Sequence, residues 1–178
     1  MSQEIKAVFA GFGGQGTLFA GKLMAYAGLI EGREVSWFPS YGPEMRGGTA
    51  NCSVTLSDSL IGSPLVTEPD VVIAMNQPSF DKFVTAVKPG GVIVADTSMV
   101  ADLGSRDDVE IVGIPATEIA EEAGLKGLAN IVLMGKLFTV CAFCERETID
   151  VALGKCIPPK KAAMIEKNKK AIQLGMEA

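Results

Sequence analysis

Residues 11–16 read Gly-Phe-Gly-Gly-Gln-Gly, a GxGxxG pattern, and their surroundings constrain the fold more than the pattern does. The apolar run 5–10 stops at Gly11 and reads as a buried first strand. From Gln15 to Glu31, Leu18, Leu23, Met24, Ala27 and Ile30 recur at helical spacing. A glycine turn between a buried strand and an amphipathic helix lets the backbone approach a ligand closely. It also presents free N–H groups and the positive end of the helix dipole to a phosphate. The same loop without a ligand would be a tight strand–helix packing turn.

The rest of the chain repeats this alternation. Strands are expected over 34–38, 49–57, 71–75, 92–96 and 109–114, and helices over 78–87, 117–123, 128–143, 148–155 and 159–175. Pro78 suits a first helical turn, and Gly124 suits a helix stop. In 49–57, Ala50, Cys52, Val54 and Leu56 point one way while Asn51, Ser53 and Thr55 point the other, a strand with one wetter face. Strands alternating with helices imply one α/β domain over 1–178, a three-layer α/β/α arrangement around a mainly parallel, Rossmann-like sheet.

A nicotinamide site usually carries an acid at the end of the second strand, where it holds the ribose. Here that strand ends Trp37-Phe38-Pro39-Ser40, and Glu31 and Glu34 fall before it or at its start. The loop therefore indicates a pyrophosphate binder without specifying a nicotinamide one. The chain has no histidine, which removes the commonest general base and the commonest metal ligand together. A free-standing NAD(P)-dependent oxidoreductase is thus disfavoured on two counts, and no residue stands out as catalytic or as a metal ligand.

Net charge is −5, which argues against nucleic-acid or anionic-membrane binding. The lysines at 160, 161, 167, 169 and 170 read as a solvated helix face. No signal peptide or run of about 18 apolar residues is present, so a soluble cytoplasmic protein is expected. Of the four cysteines only Cys141 and Cys144 are close, and their spacing gives no iron–sulfur framework. They lie within an apolar run that reads as mid-helix, hence as buried structural thiols. Hydrophobic residues make up 48% of the chain and charged ones 21%, enough for a doubly covered sheet and for surface reserved for a permanent partner.

The second distinctive segment is Ser-Tyr-Gly-Pro-Glu-Met-Arg-Gly-Gly at 40–48. It leaves the carboxyl end of the second strand, where ligands bind in open α/β sheets. Tyr41, Glu44 and Arg46, set among Gly and Pro, read as a shaped loop, and Arg46 can grip a carboxylate or phosphate with two N–H groups. A plain connector with an Arg46–Glu44 surface pair is the other reading.

Together, the glycine loop, segment 40–48 and the strand behind it resemble the γ subunit of the thiamine-dependent 2-oxoacid:ferredoxin oxidoreductases. The wording of 40–48 is closer to the 2-oxoglutarate and branched-chain members than to the pyruvate ones, and the indolepyruvate oxidoreductases use a similar domain. The resemblance implies a complex that decarboxylates a 2-oxoacid, passes electrons to ferredoxin and releases an acyl-CoA. Thiamine pyrophosphate, Mg and iron–sulfur clusters would sit on the α, β and ferredoxin-like partners. Gly11, Gly13, Gly14, Gln15 and Gly16 would cradle the pyrophosphate of coenzyme A. Tyr41, Glu44 and Arg46 would face the active-site entrance or a neighbouring subunit. A purely structural assembly subunit stays open as an alternative.

Overall fold

The computed structural model describes residues 4–40 and 49–178. Its sheet runs in the order β2-β3-β1-β4-β5-β6, with strands Glu4–Phe12, Glu34–Ser40, Thr49–Ser57, Val71–Ala74, Val92–Asp96 and Glu110–Ile114 numbered in chain order. β1, β4, β5 and β6 pair in parallel. β3 is antiparallel to both β1 and β2, so the mainly parallel sheet contains one reversed strand. The reversal follows from connection length, because only residues 41–48 separate β2 from β3. A parallel return needs a crossover of a dozen residues or more.

Helices α1 (Thr17–Ile30), α3 (Ala116–Glu122), α4 (Ala129–Val140), α5 (Arg146–Cys156) and α6 (Ala163–Glu177) cover one face, where they enclose Ala7, Phe9, Val54, Ile73 and Val94. On the opposite face α2 (Gln77–Phe83) brings Phe80 against Val8, Ala10, Val72, Ala74 and Ile93. The sheet is therefore covered on both faces, but unequally. Over β2 and β3 the second face carries Asn51, Ser53 and Phe38, and among the described residues no helix lies directly over it. A groove of about 690 Å³ remains between these strands, Leu65, Val66, Lys82 and Phe83. The wetter face expected of 49–57 lies here.

Two boundaries correct the sequence expectations. Instead of continuing through 143, α4 ends at Val140, and Cys141 is already extended (φ −142°, ψ 93°). The cysteine pair thus lies in the α4–α5 connection and not mid-helix. No Gly or Pro marks the break, and the apolar character continues because Phe143 turns back edge-to-face onto Phe138 at 6.1 Å. α2 is also shorter than expected, ending at Phe83 rather than at residue 87. The lysine cluster matches its solvated-face reading, since Lys167 and Lys170 are exposed and Lys169 lies near Asp150 and Glu166.

Helices α4 and α6 cross with their backbones nearly touching. A methyl on Gly175 would run into the carbonyl of Val132, and one on Gly135 into the carbonyl of Ile172. Helical glycine normally costs about 1 kcal/mol relative to alanine, so Gly→Ala usually stabilises a helix. At Gly175 the sign should reverse, because rigid backbone cannot give way. Gly175→Ala is expected to destabilise by about 2–3 kcal/mol. At Gly154 on α5, where an added methyl meets open space, Gly→Ala should stabilise by about 0.5–1 kcal/mol. Urea unfolding of the two variants beside the parent checks both signs.

Candidate functional site

The glycine loop lies at the carboxyl end of the parallel strands, as the sequence requires. β1 runs two residues further than the apolar pattern, so Gly11 and Phe12 are still strand residues, paired with Ala50 and Thr49. A side chain on Gly11 would collide with the Gln15 side chain and the Thr17 methyl. The turn itself needs two left-handed residues, Gly14 (φ 99°) and Gly16 (φ 79°), a conformation that costs other residues about 1 kcal/mol or more. Around the Gly14 Cα there is open space, so its hydrogens face solvent or a ligand.

Gln15 does something different from the expected cradling. Its Oε1 accepts from the Phe12 N–H at 2.6 Å and from Asn76 Nδ2 at 2.9 Å, and its Nε2 donates to the Met75 carbonyl at 3.0 Å. Its own N–H donates to the Phe12 carbonyl at 3.1 Å. With amide and side chain both engaged, Gln15 shapes the loop from inside. Asn76 then uses its Oδ1 to accept from the Ser79 N–H at 2.9 Å and so caps α2. Asn immediately before a Pro-containing first turn is a legible cap signal. Its second bond, to Gln15, has no local trace in the sequence.

Behind the loop stands Asn130, in the first turn of α4, whose Nδ2 donates to the Gly16 carbonyl at 3.0 Å. That contact joins the N-terminus of α1 to the N-terminus of α4. The short helix α3 begins nearby: Thr117, Ala120 and Glu121 line the same small cavity as Gly14, Gln15, Met75, Gly127 and Ala129, with a volume of about 170 Å³. The first N–H groups of each helix lack intrahelical acceptors, and their dipoles add positive potential where they converge. Glu121, on the exposed rim, is the only acid among these lining residues. Asp96, fully buried at the end of β5, is kept polar by Thr117 Oγ1 at 2.6 Å and the Ser98 N–H at 3.1 Å. Neither Asn130 nor Asp96 stood out in the sequence, since their partners lie 114 and 21 residues away.

Tyr41, Glu44 and Arg46 fall outside the described residues. Their described flanks, Ser40 and Thr49, lie at the glycine-loop end of the sheet: Thr49 pairs with Phe12, and Ser40 with Asn51. Among the described residues no group of three or more Cys, Asp or Glu side chains could hold a metal ion, and no helix is long and apolar enough to cross a membrane.

The cysteines have no activated thiol among them. Burial pushes the Cys52 thiol up to about 12 and Cys156 up to about 11. Burial, with Glu31 and Glu145 adding to it, pushes Cys144 up to about 12, and burial also raises Cys141. An unfolded thiol ionises near about 8.5. Above that pH the unfolded state binds fewer protons than the native one, so stability falls as pH rises. The contribution of these thiols is complete below about pH 8.5 and is lost between about pH 9 and 12. Thermal unfolding from pH 7 to 11 should show this decline, and Cys156→Ala should flatten it.

The matching family is described as pyruvate ferredoxin/flavodoxin oxidoreductase, and the match spans residues 6–178. The chain is 44% identical over 138 residues to the ketoisovalerate oxidoreductase subunit VorA of Methanothermobacter marburgensis, covering 78% of this chain and 29% of that protein. It therefore spans under a third of that relative's length. It is 36% identical over 180 residues to the 2-oxoglutarate synthase subunit KorC of Methanocaldococcus jannaschii, covering 99% of this chain and 94% of that one. Among solved structures, a keto/oxoacid ferredoxin oxidoreductase γ subunit from Geobacter sulfurreducens superposes with a TM-score of 0.84 at 30% identity, over 97% of this chain and 96% of that one. The same fold recurs (TM-score 0.87, 24% identity) in the 2-oxoglutarate:ferredoxin oxidoreductase of Magnetococcus marinus, solved with 2-oxoglutarate, coenzyme A and succinyl-CoA bound; it covers 98% of this chain and 31% of that one. A family match over nearly the whole chain, with the glycine loop at the strand ends where that fold needs it, places this protein in the pyruvate ferredoxin/flavodoxin oxidoreductase family.

Proposed function

We propose that this chain is the γ component of a thiamine-dependent 2-oxoacid:ferredoxin oxidoreductase acting on 2-oxoglutarate or a branched-chain 2-oxoacid, and that its glycine loop holds the pyrophosphate of coenzyme A. The observation that carries this reading is the junction of α1 and α4, where Gly16 and Asn130 bring two helix N-termini together beside the open face of Gly14. An anion there would meet first-turn N–H groups and the positive ends of two helix dipoles, with no cationic side chain among the described lining residues. The relatives' names supply the substrate classes, and the Magnetococcus marinus complex, with coenzyme A bound, supports the ligand.

In this reading the chain binds and orients coenzyme A and carries no group that takes part in bond making. Thiamine pyrophosphate, held with Mg by partner subunits, would stabilise the carbanion left by decarboxylation, and iron–sulfur clusters there would take the electrons to ferredoxin. The residues present fit that division. There is no histidine, three of the four thiols are buried and Cys141 is partly buried, burial raises all four above the ordinary thiol range, and no metal-ligand cluster occurs among the described residues. What the chain contributes is position: Gln15 and Asn76 fix the loop, and the loop fixes the phosphate. Arg46, Tyr41 and Glu44 would stand at the entrance or against a neighbouring subunit. The outer edge of β2 suits the partner surface, because Trp37, Leu29 and Ile30 leave apolar area open beside a strand edge that no other described strand covers.

Gly14→Val tests the reading directly. A β-branched side chain at φ 99° is strained and would stand in the open space a phosphate would take. In the reconstituted complex the KM for coenzyme A should rise about tenfold or more, as expected for losing part of an anion site worth more than about 1.4 kcal/mol. The KM for the 2-oxoacid should barely move, because decarboxylation precedes acyl transfer. An unchanged coenzyme A dependence in a properly assembled complex would assign the loop a structural role alone. A second check concerns assembly: Leu29→Lys, at a position 56% exposed, should weaken association with the partner subunits while leaving the Tm of the separate chain within about 1–2 °C, the usual reach of a surface change.

A further inference from the structure

Asn130 does more than pack. Its Nδ2 must face Gly16, because a carbonyl can only accept, and the Gly16 carbonyl already accepts from the Ala20 N–H at 3.0 Å as the first bond of α1. The Asn130 amide also fills the space a side chain on Gly16 would need, so it holds Gly16 in the left-handed conformation from behind. That conformation determines where the next amides of α1 point. The other end of the same side chain is left over. Asn130 is 4% exposed, yet its Oδ1 has no hydrogen-bond partner among the described residues. A buried acceptor without a donor is uncommon and is most often found where water, an ion or a ligand completes the site.

From these observations we propose that Asn130 is the positioning residue of the glycine loop: it locks the N-terminus of α1 to that of α4 in the relative placement that a phosphate-bearing ligand requires. The inference rests on the coenzyme A reading of the loop but assigns the control of affinity to a residue outside the GxGxxG pattern. It separates two roles that a buried asparagine could have. A residue that only fills space affects stability, whereas one that aims the loop affects ligand affinity at constant stability.

Asn130→Leu separates them. Leucine keeps the volume, removes the orphaned Oδ1, and leaves the Gly16 carbonyl with its Ala20 partner, so no buried polar group is newly stranded. The experiment is calorimetric titration of the assembled complex with coenzyme A in the absence of 2-oxoacid, alongside thermal unfolding of each variant. The expected result is a Kd for coenzyme A raised about tenfold with the Tm and the KM for 2-oxoacid close to those of the parent. Asn130→Ser serves if the leucine complex does not assemble, since it removes the bond to Gly16 with a smaller side chain, and the same rise is expected. If either assembled variant binds coenzyme A as tightly as the parent, whether or not its Tm falls, the positioning role is wrong. Gly14→Val, run in parallel, keeps the two ideas apart. Weakened binding in Gly14→Val but not in the Asn130 variants overturns only the role of Asn130, and normal binding in all of them overturns the coenzyme A reading as well.

Discussion

The structure depends on a backbone amide that the sheet cannot pair unaided. Phe12 is the last residue of β1, and where the chain turns away into the glycine loop its N–H is left at the edge of a packed core. The side-chain oxygen of Gln15, Oε1, accepts from it at 2.6 Å, and Nε2 of the same side chain donates to the Met75 carbonyl just beyond β4. Leaving both groups unpaired would cost about 1–3 kcal/mol each. Asn76 joins the same cluster and caps α2 with its other end. One glutamine thus bridges the ends of β1 and β4, shapes the turn of the glycine loop and, through Asn76, supports the start of α2 on the second face. Gly11 belongs to this arrangement too, because a side chain there would occupy the space the Gln15 amide needs.

On the other side of the loop the constraint is steric. α4 approaches α6 so closely that Gly135 lies against the Ile172 carbonyl and Gly175 against the Val132 carbonyl, and α4 in this position brings Asn130 to the start of α1. A bulkier crossing would push α4 outward and draw Asn130 away from Gly16. The glycines of the α4–α6 crossing and the glycines of the loop are therefore parts of one construction, although they are more than a hundred residues apart.

Much of this was legible in the sequence because it is local. The strand positions, the strand–loop–helix setting of 11–16 and the wetter face of β3 all follow from periodicity within about ten residues. The failures have a common cause in contacts that periodicity does not encode. The end of α4 was hidden because Cys141, Ala142 and Phe143 continue the apolar run while the backbone has already turned extended, with Phe143 held by Phe138 and not by a helical bond. The reversal of β3 could have been inferred from the short connection, which excludes a crossover. Gln15 was read as a ligand contact because the pattern places it in the loop. Only the three-dimensional positions of Met75 and Asn76 reveal that it faces inward. The contact of Asn130 with Gly16 left no local signal, since the two are 114 residues apart.

The charge of the chain fits this arrangement only when the local field is considered. At a net charge of −5 the protein as a whole repels anions, and the clustered lysines lie on α6 and the turn before it, not among the residues lining the loop cavity. Attraction for a phosphate must then come from groups within a few ångströms. Unpaired amides and converging helix ends supply that without a mobile charge. Such a site discriminates by geometry, because dipoles fixed in a backbone favour an anion only where they point. It is also screened little by salt, since the distances are well below the Debye length of about 8 Å at physiological ionic strength. On the proposed reading this explains why the residues that matter most around the loop are glycines and neutral amides. A lysine would bring charge with a flexible reach, whereas Gln15, Asn76 and Asn130 hold the backbone that carries the field.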